Sequence, residues 1–205
     1  MIRAFLCAWF ALSCPSGEAA QIPAEAWKHQ RLVVRSALAE FGRYDHVAVL
    51  AAPVHQESGW RGDVCSPFAC GWTQFTPSTA KWFGESIGKD LGPPVLSDVR
   101  WAIPAMARYD KWLADRTSAK TVCDHTAKWL SSYNGGAGWV SRDEKLAAAN
   151  GADPGLWWGH VELYSNRAAW AIKENRGYPR RILRILTPRY LDAGWFGDNV
   201  CEVTK

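Results

Sequence analysis

The sequence predicts a mainly α-helical protein with a single domain. Apolar residues recur at helical spacing along most of the chain, and there is little of the strict alternation typical of strands. The chain contains no Ser/Gly/Pro-rich linker, no internal repeat and no low-complexity segment. A chain of 205 residues with these properties is long enough to bury one sizeable core.

Start and stop signals predict where the helices lie. Thr76 followed by Pro77 is a strong start, because a hydroxyl cap precedes a proline at the first helical position. Asp45 is the expected N-cap of the second helix, which contains Pro53 and is expected to kink there. The predicted helices cover residues 22–41, 46–58, 77–83, 99–116, 120–132, 142–149, 162–173 and 179–185.

The first residues have the order of a secretory signal peptide. A positive charge comes first, residues 4–12 are apolar, and small residues follow. The apolar run is far shorter than the ~20 residues that a membrane-spanning helix needs. We therefore expect a signal peptide at residues 1–19 and a mature domain at residues 20–205, in the periplasm or secreted. The alternatives are a poorly ordered tail or lipidation at Cys14, against which the bulky Leu12 counts.

Four of the six cysteines lie in the expected mature domain. An even number of cysteines in an exported chain predicts disulfides, and four cysteines permit three pairings. We favour Cys65 with Cys70 and Cys123 with Cys201. The alternatives are free buried thiols in a cytoplasmic chain, or a zinc site, for which the spacings are wrong.

The charge of the chain is mildly basic, with 24 Lys+Arg against 20 Asp+Glu and a net charge of +4. This balance suits an anionic polymer such as a bacterial cell wall. It would also suit nucleic acid, but the sequence contains no nucleic-acid-binding motif, and we expect no such partner. Arg176, Arg180 and Arg184 share helical spacing, so we interpret them as a solvated helix face rather than an anion site.

Glu57 is the candidate catalytic residue. It lies between a helical segment rich in Ala and Val and a turn that carries Trp60. A carboxyl group in apolar surroundings stays protonated to higher pH, because desolvation disfavours the anion. A general acid needs this property to protonate a glycosidic oxygen. Taken alone, Glu57 would more simply be an exposed residue at a helix end, but its neighbours favour the catalytic interpretation.

Three further segments combine glycine, amide and aromatic residues. Residues 71–74 can present backbone and the Gln74 amide towards a sugar hydroxyl or N-acetyl group. Residues 133–136 are predicted to form a turn at a helix end, where the glycines let Asn134 approach a ligand. Residues 174–178 form a third cluster of polar and aromatic side chains.

The chain contains 13 tryptophans, a heavy load for its length. Indole rings bury large areas in protein cores, and they also stack on the apolar faces of sugars. Trp60, Trp72 and Trp139 lie within these motifs, so we assign those three to a sugar-binding cleft and the others to the core.

Together and in this order, the motifs resemble those of the soluble, lysozyme-like lytic transglycosylases. They are Glu57-Ser58, Ser66, Gly71-x-x-Gln74-x-x-Pro77-x-Thr79-Ala80, Tyr133-Asn134-x-Gly136 and Glu174-x-x-x-Tyr178. The resemblance covers about residues 45–186. It implies a goose-type lysozyme-like domain that cleaves the β-1,4 bond between N-acetylmuramic acid and N-acetylglucosamine in peptidoglycan glycan strands. The muramic C6 hydroxyl attacks within its own sugar and leaves a 1,6-anhydro end, with no metal or cofactor.

On this chain, the resemblance makes Glu57 the acid and base. The candidate sugar-binding residues are Ser66, Trp72, Gln74, Tyr133, Asn134 and Tyr178. Two departures from the family pattern stand out. The segment of residues 66–71 is one residue shorter than usual and lacks the first glycine, and Pro179 stands where valine is usual.

The sequence is also compatible with two other functions. A hydrolytic lysozyme that inverts would need a second carboxylate to activate water, and Asp63 is the best candidate, although it also fits a simple turn. The chain could also be a non-catalytic wall-binding component of a secretion or phage machine, which would make secretion-system or phage proteins its partners. A zinc peptidase is disfavoured, because no two histidines have helical ligand spacing near a glutamate.

Overall fold

A computed structural model describes residues 22–202, so the predicted signal peptide and Cys14 lie outside the described residues. The α-helices are α1 Ala24–Phe41, α2 Val47–Ser58, α3 Pro77–Ser86, α4 Val99–Ala114, α5 Val122–Gly135, α6 Ala137–Ala149, α7 Ala169–Arg181 and α8 Thr187–Asp192. Short 3-10 helices occupy Lys89–Leu91 and Val161–Leu163, and a π-helical segment, Ile182–Leu186, joins α7 to α8. The predicted mainly α-helical class is therefore confirmed.

Between residues 22 and 202, no helix has both the length and the apolar character needed to cross a membrane.

Helix α2 forms the centre of the core. Every residue from Val47 to Val54 is buried, as expected for a helix that is apolar on all sides. Helices α1 and α8 and the π-helical segment pack around it. Because the rest of α2 is held in the core, its last turn carries Glu57 from the core to a cleft at one end of the helix.

A smaller second core supports the opposite side of the cleft. It lies between α3 and α4 and contains Phe75, Phe83 and Trp101. Phe75 also packs against Tyr109 and Tyr133, with ring centroids 5.7 Å and 5.8 Å apart. The aromatic contacts therefore join this core to α5 and fix the loop that precedes α3.

Of the two predicted N-caps, Thr76 is confirmed and Asp45 is not. The Thr76 hydroxyl accepts from the Thr79 N–H at 3.0 Å, and the Asp98 carboxylate accepts from the Arg100 N–H at 2.9 Å. The prediction that Asp45 caps α2 is wrong, because the N-cap is His46. The Asp45 carboxylate instead pairs with the side chains of Arg43 and His46.

Two helix boundaries differ from the prediction in ways that matter for the cleft. Helix α5 extends to Gly135, so Tyr133 and Asn134 lie in its last turn rather than in a free turn. The predicted helix over residues 162–173 is wrong, since α7 begins at Ala169 and includes the whole of residues 174–178. Pro179 suggested a helix start, but buried neighbours such as Tyr178 and Ile182 keep the chain helical through it.

The arginines that share helical spacing do not form one solvated face. Arg176 is buried, whereas Arg180 is exposed and pairs with Glu162 at 2.7 Å. The solvated-face interpretation is therefore wrong for Arg176, whose charge is balanced inside the protein. The two favoured disulfides, Cys65–Cys70 and Cys123–Cys201, are both present in the structure.

Candidate active site

Glu57 reaches the cleft because α2 ends immediately after it. Gly59 adopts the left-handed conformation at the C-cap, with φ 61°, and its N–H donates to the His55 carbonyl. Ser58 fixes this end of the helix, because its hydroxyl lies 2.8 Å from the Trp72 carbonyl and 3.2 Å from the Val54 carbonyl. The backbone that carries Glu57 is thus held on both sides.

Two cavities meet at the Glu57 side chain. The first cavity has a volume of about 320 Å³ and lies between the end of α2, the loop that precedes α3 and the last turn of α5. The second cavity has a volume of about 460 Å³ and lies between the ends of α2 and α5 and the outer face of α7. Glu57, Asn134 and Glu174 border both, so the two cavities form one cleft.

The structure brings most of the predicted site residues to this cleft. Ser66, Gln74 and Tyr133 border the first cavity, Tyr178 borders the second, and Asn134 borders both. These residues come from two helices and a loop that are distant in sequence, and the fold alone assembles them. Their contacts with a sugar remain predictions.

Burial governs the protonation of Glu57. Burial and, to a lesser extent, the negative charge of Glu174 raise the pKa of the Glu57 carboxyl to about 7. The Tyr178 hydroxyl opposes this shift, because it lies close enough to stabilise the anion as a donor. That hydroxyl is buried and has no fully formed hydrogen bond. At neutral pH, a large fraction of Glu57 therefore carries the proton that a general acid needs.

Two predicted sugar-binding side chains also hold the loop of the first cavity together. The Gln74 amide nitrogen donates to the carbonyls of Val64 and Gly71 at 2.9 Å and 2.8 Å. The Ser66 hydroxyl accepts from the N–H groups of Phe68 and Ala69 at 3.2 Å and 3.0 Å. Because both amide hydrogens of Gln74 are used, its carbonyl oxygen is the end that could bind a ligand.

Gly71 is required where this loop passes close to another segment. Its φ is 81°, and a Cβ at this position would lie 2.0 Å from the Leu96 carbonyl oxygen. Any other residue would strain the backbone and push the two segments apart. The glycine of this motif therefore shapes the cavity wall rather than approaching a ligand.

The assignment of three tryptophans to the cleft is not supported. Trp60 is 1% exposed and donates its indole N–H to the Tyr190 hydroxyl, so this prediction is wrong. Trp72 donates to the Ser97 carbonyl at 2.9 Å and does not border either cavity. Trp139 lies outside the cleft too, beneath the guanidinium groups of Arg142 and Arg167. The indole rings of Trp60 and Trp72 pack inside the protein, and their N–H groups are hydrogen-bonded there.

Two strongly exposed aromatic side chains that border the cleft were missed. Phe68 is 78% exposed beside the first cavity, and Trp170 is 72% exposed beside the second. A signal for Trp170 was present, because it precedes Glu174 by four residues and therefore shares its helix face. Exposed rings at both ends of a cleft could stack on successive sugars.

Asp110 is a second acidic group that sequence reasoning missed. It lies on α4, is fully buried, and neither of its carboxyl oxygens has a hydrogen-bond partner. Burial raises the pKa of Asp110 well above its ordinary value, and the charge of nearby Glu57 acts in the same direction. The available signal was its spacing, since Asp110 falls on the buried stripe of α4 with Met106 and Leu113.

Residues 22–202 contain no group of three or more His, Cys, Asp or Glu side chains that could hold a metal ion.

The raised pKa of Glu57 predicts that folding stability falls as pH rises. Between pH 4.5 and about 7, the folded protein keeps a proton that the unfolded chain releases. Once Glu57 is ionised in both states, this difference has lowered the free energy of unfolding by about 3 kcal/mol, at roughly 1.4 kcal/mol for each pKa unit. Glu57→Gln removes the effect, so its stability relative to the wild type should grow by about 3 kcal/mol between pH 4 and pH 9.

Urea unfolding of both proteins across that range measures the difference. Exposed Glu85→Gln on α3 is the matched control, because it removes a carboxyl group that is open to solvent. A stability difference between wild type and Glu57→Gln that stays constant with pH would show that Glu57 ionises normally in the folded state.

Comparison with known proteins places these features in a wider group. Residues 39–154, more than half of the chain, match the sequence profile of the family described as the Transglycosylase SLT domain. This match includes Glu57 and Asn134 but ends before Tyr178. Membrane-bound lytic murein transglycosylase F of Marinobacter nauticus is 32% identical over 136 residues, which cover 64% of this chain and 26% of that protein. The chain thus spans about a quarter of the length of that relative.

Proposed function

Since the chain belongs to the transglycosylase SLT domain family, we propose that it is a peptidoglycan lytic transglycosylase with Glu57 as its acid and base. The observation that carries the proposal is a carboxyl group, that of Glu57, whose pKa is raised to about 7 at the junction of two cavities. Such a group can donate a proton near neutral pH and take one back in the next step.

The reaction requires only this one carboxyl group at the glycosidic bond. Glu57 donates its proton to the bridging oxygen as the bond from the muramic anomeric carbon breaks. The Glu57 carboxylate then accepts the proton of the muramic C6 hydroxyl, whose oxygen forms the new bond to the anomeric carbon. The neighbouring N-acetyl group can stabilise the positive charge in between. The product is a 1,6-anhydromuramic end, and Glu57 regains its original state.

The side chains around Glu57 can position the two sugars. Tyr178 lies beside the carboxyl group and can stabilise its ionised form in the second step. Asn134 borders both cavities, so its amide can contact a sugar next to the bond that breaks. Tyr133 is tied to the loop, since its hydroxyl donates to the Thr73 carbonyl at 2.7 Å. We therefore expect the ring of Tyr133, rather than its hydroxyl, to contact the substrate.

Two cationic side chains that could bind carboxylates border the second cavity, beside Glu57 and Glu174. Lys173 and Arg181 border it, while no lysine or arginine borders the first cavity. The peptide stems of peptidoglycan carry carboxylates next to each muramic residue, and we place a stem at this end. Strands stripped of their peptides should then be cleaved more slowly than intact strands.

A hydrolytic lysozyme is the second candidate, because the cleft contains a second carboxylate, although it is not the predicted Asp63. Asp63 is exposed and does not border the cleft, so it is poorly placed to activate water there. Glu174 does border both cavities, and its charge acts on Glu57. If water is the nucleophile, Glu174 is therefore the carboxylate that would activate it.

Mass spectrometry of the soluble products from purified peptidoglycan tests the proposal. We expect muropeptides with 1,6-anhydro ends, which are lighter than hydrolytic products by one water. Glu174→Gln should still form them. Reducing muramic ends that disappear in Glu174→Gln would instead establish a lysozyme. Strand binding without products from the wild type would favour a wall-binding component of a secretion or phage machine.

A further inference from the structure

We infer that Asn175 is a positioning residue that orients the amide of Asn134, so that the Asn134 NH₂ group faces the cleft. This inference rests on the proposed function, because it concerns how the cleft presents a donor to a sugar. It concerns a buried side chain that borders neither cavity and acts only through its neighbour.

The contacts that fix the Asn134 amide start from a buried cluster of charged side chains beneath α7. Asp143 on α6 is 1% exposed and accepts from the Nη2 atoms of Arg167 and Arg176, at 2.9 Å and 2.8 Å. A guanidinium group can only donate hydrogen bonds, and an ionised carboxylate can only accept them. In this cluster the guanidinium groups are therefore the donors and the carboxylate is the acceptor. The remaining guanidinium hydrogens must find other acceptors.

Asn175 provides that acceptor and is fixed in turn. Its Oδ1 lies 2.7 Å from Arg167 Nη2 and 2.7 Å from Arg176 Nη1. The Ser131 hydroxyl also donates to the same oxygen at 2.8 Å. Because the two guanidinium groups cannot accept, the amide atom that faces them must be the oxygen. The nitrogen of Asn175 must then point the other way.

The Asn175 nitrogen, which must be a donor, contacts the amide of Asn134 at the cleft. It donates to the Ser131 carbonyl at 2.8 Å and to Asn134 Oδ1 at 3.2 Å. Since a donor faces Asn134 on this side, the Asn134 oxygen occupies that place and its NH₂ group lies opposite. Within residues 22–202, the Asn134 nitrogen donates no hydrogen bond. It is free to bind an acceptor such as an N-acetyl carbonyl.

The packing of α5 shows how closely the cluster fits. Gly135 follows Asn134 in the last turn of α5. A Cβ at Gly135 would lie 2.5 Å from Asn175 Nδ2 and 2.6 Å from Arg167 Nη1. Its φ lies outside the left-handed region, so alanine would suit the backbone, and its Cβ would meet these two side chains first. Gly135→Ala is therefore a steric probe of the same arrangement.

A double-mutant cycle on Asn134 and Asn175 tests the inference. We expect Asn134→Ala to lower kcat/KM by about 10- to 100-fold, as for one lost substrate hydrogen bond. Asn175→Ala should lower kcat/KM by up to that factor and through the same parameter as Asn134→Ala, either a lower kcat or a higher KM. The double variant should be no worse than Asn134→Ala alone, because Asn175 acts through Asn134. Independent losses that multiply would overturn the inference.

Two glycine variants separate orientation from general loss of stability. Gly135→Ala should reproduce the kinetic defect of Asn175→Ala, whereas Gly138→Ala in α6, with nothing within 4 Å of the added Cβ, should behave as wild type. Equal activity of the two glycine variants would contradict the inference. A neutron diffraction map of the wild type locates the Asn134 amide hydrogens without any assay. It therefore decides the orientation even if the protein forms no anhydro products and the proposed function fails.

Discussion

Glu57→Gln is expected to lower the rate of strand cleavage by a factor of about 10² to 10⁴, the usual contribution of a general acid and base. Glutamine has nearly the same shape as protonated glutamate but no proton to donate. The Glu57 side chain borders both cavities, so its proton lies where a bound glycosidic oxygen can accept it. The variant should remain folded and, above neutral pH, be more stable than the wild type, which separates loss of chemistry from loss of structure.

Initial rates of anhydromuropeptide release across pH 4–9 measure this effect. The wild-type rate should fall as pH rises past about 7, because the protonated form of Glu57 is then lost. The residual rate of Glu57→Gln should lack this inflection. If Glu57→Gln keeps more than a tenth of the wild-type rate, another acid supplies the proton, and Glu174, the other carboxyl group that borders both cavities, becomes the residue to replace next.

The parts of the fold that sequence analysis predicted depend on local chemistry. The Thr76-Pro77 start is set by a hydrogen bond between residues three apart and by a proline at the first helical position, and it occurs as predicted. The position of Glu57 at the end of an apolar helix is of the same kind. Its place at the edge of the core follows from the Ala- and Val-rich sequence of α2, in which Val47 to Val54 are all buried.

The parts that were missed depend on contacts between distant segments. Trp60 looked like a cleft residue because of its motif, but its hydrogen bond to Tyr190 places it in the core. Arg176 looked solvated because of its spacing, but Asp143 on another helix balances its charge. Helical periodicity predicts which residues share a helix face, but it does not predict which other segment packs against that face. The partners of Asn134 were unpredictable for the same reason.

Removal of the Cys123–Cys201 disulfide is expected to destabilise the protein without slowing the reaction at 25 °C. The two cysteines are 78 residues apart, so reduction frees a long loop in the unfolded chain. The loop-entropy relation puts the loss at about 4 kcal/mol, or a fall in Tm of roughly 10 °C for a domain of this size. Cys123 begins α5, about 15 Å along the helix from Tyr133, and neither cysteine borders the cleft. Thermal unfolding and initial rates of the double alanine variant measure both effects.

The Cys65–Cys70 disulfide provides the matched control. Replacing its two cysteines by alanine should mainly lower activity, whereas the same change at Cys123 and Cys201 should mainly lower stability. Its cysteines are five residues apart, and the same relation gives only about 2 kcal/mol. However, the short loop that it closes holds Ser66 and Phe68 on the wall of the first cavity. Its double alanine variant should therefore lose more activity and less stability than the Cys123/Cys201 variant. The reverse ranking would mean that the loop of the first cavity does not contact the glycan strand, and that the cleft depends on the C-terminal segment instead.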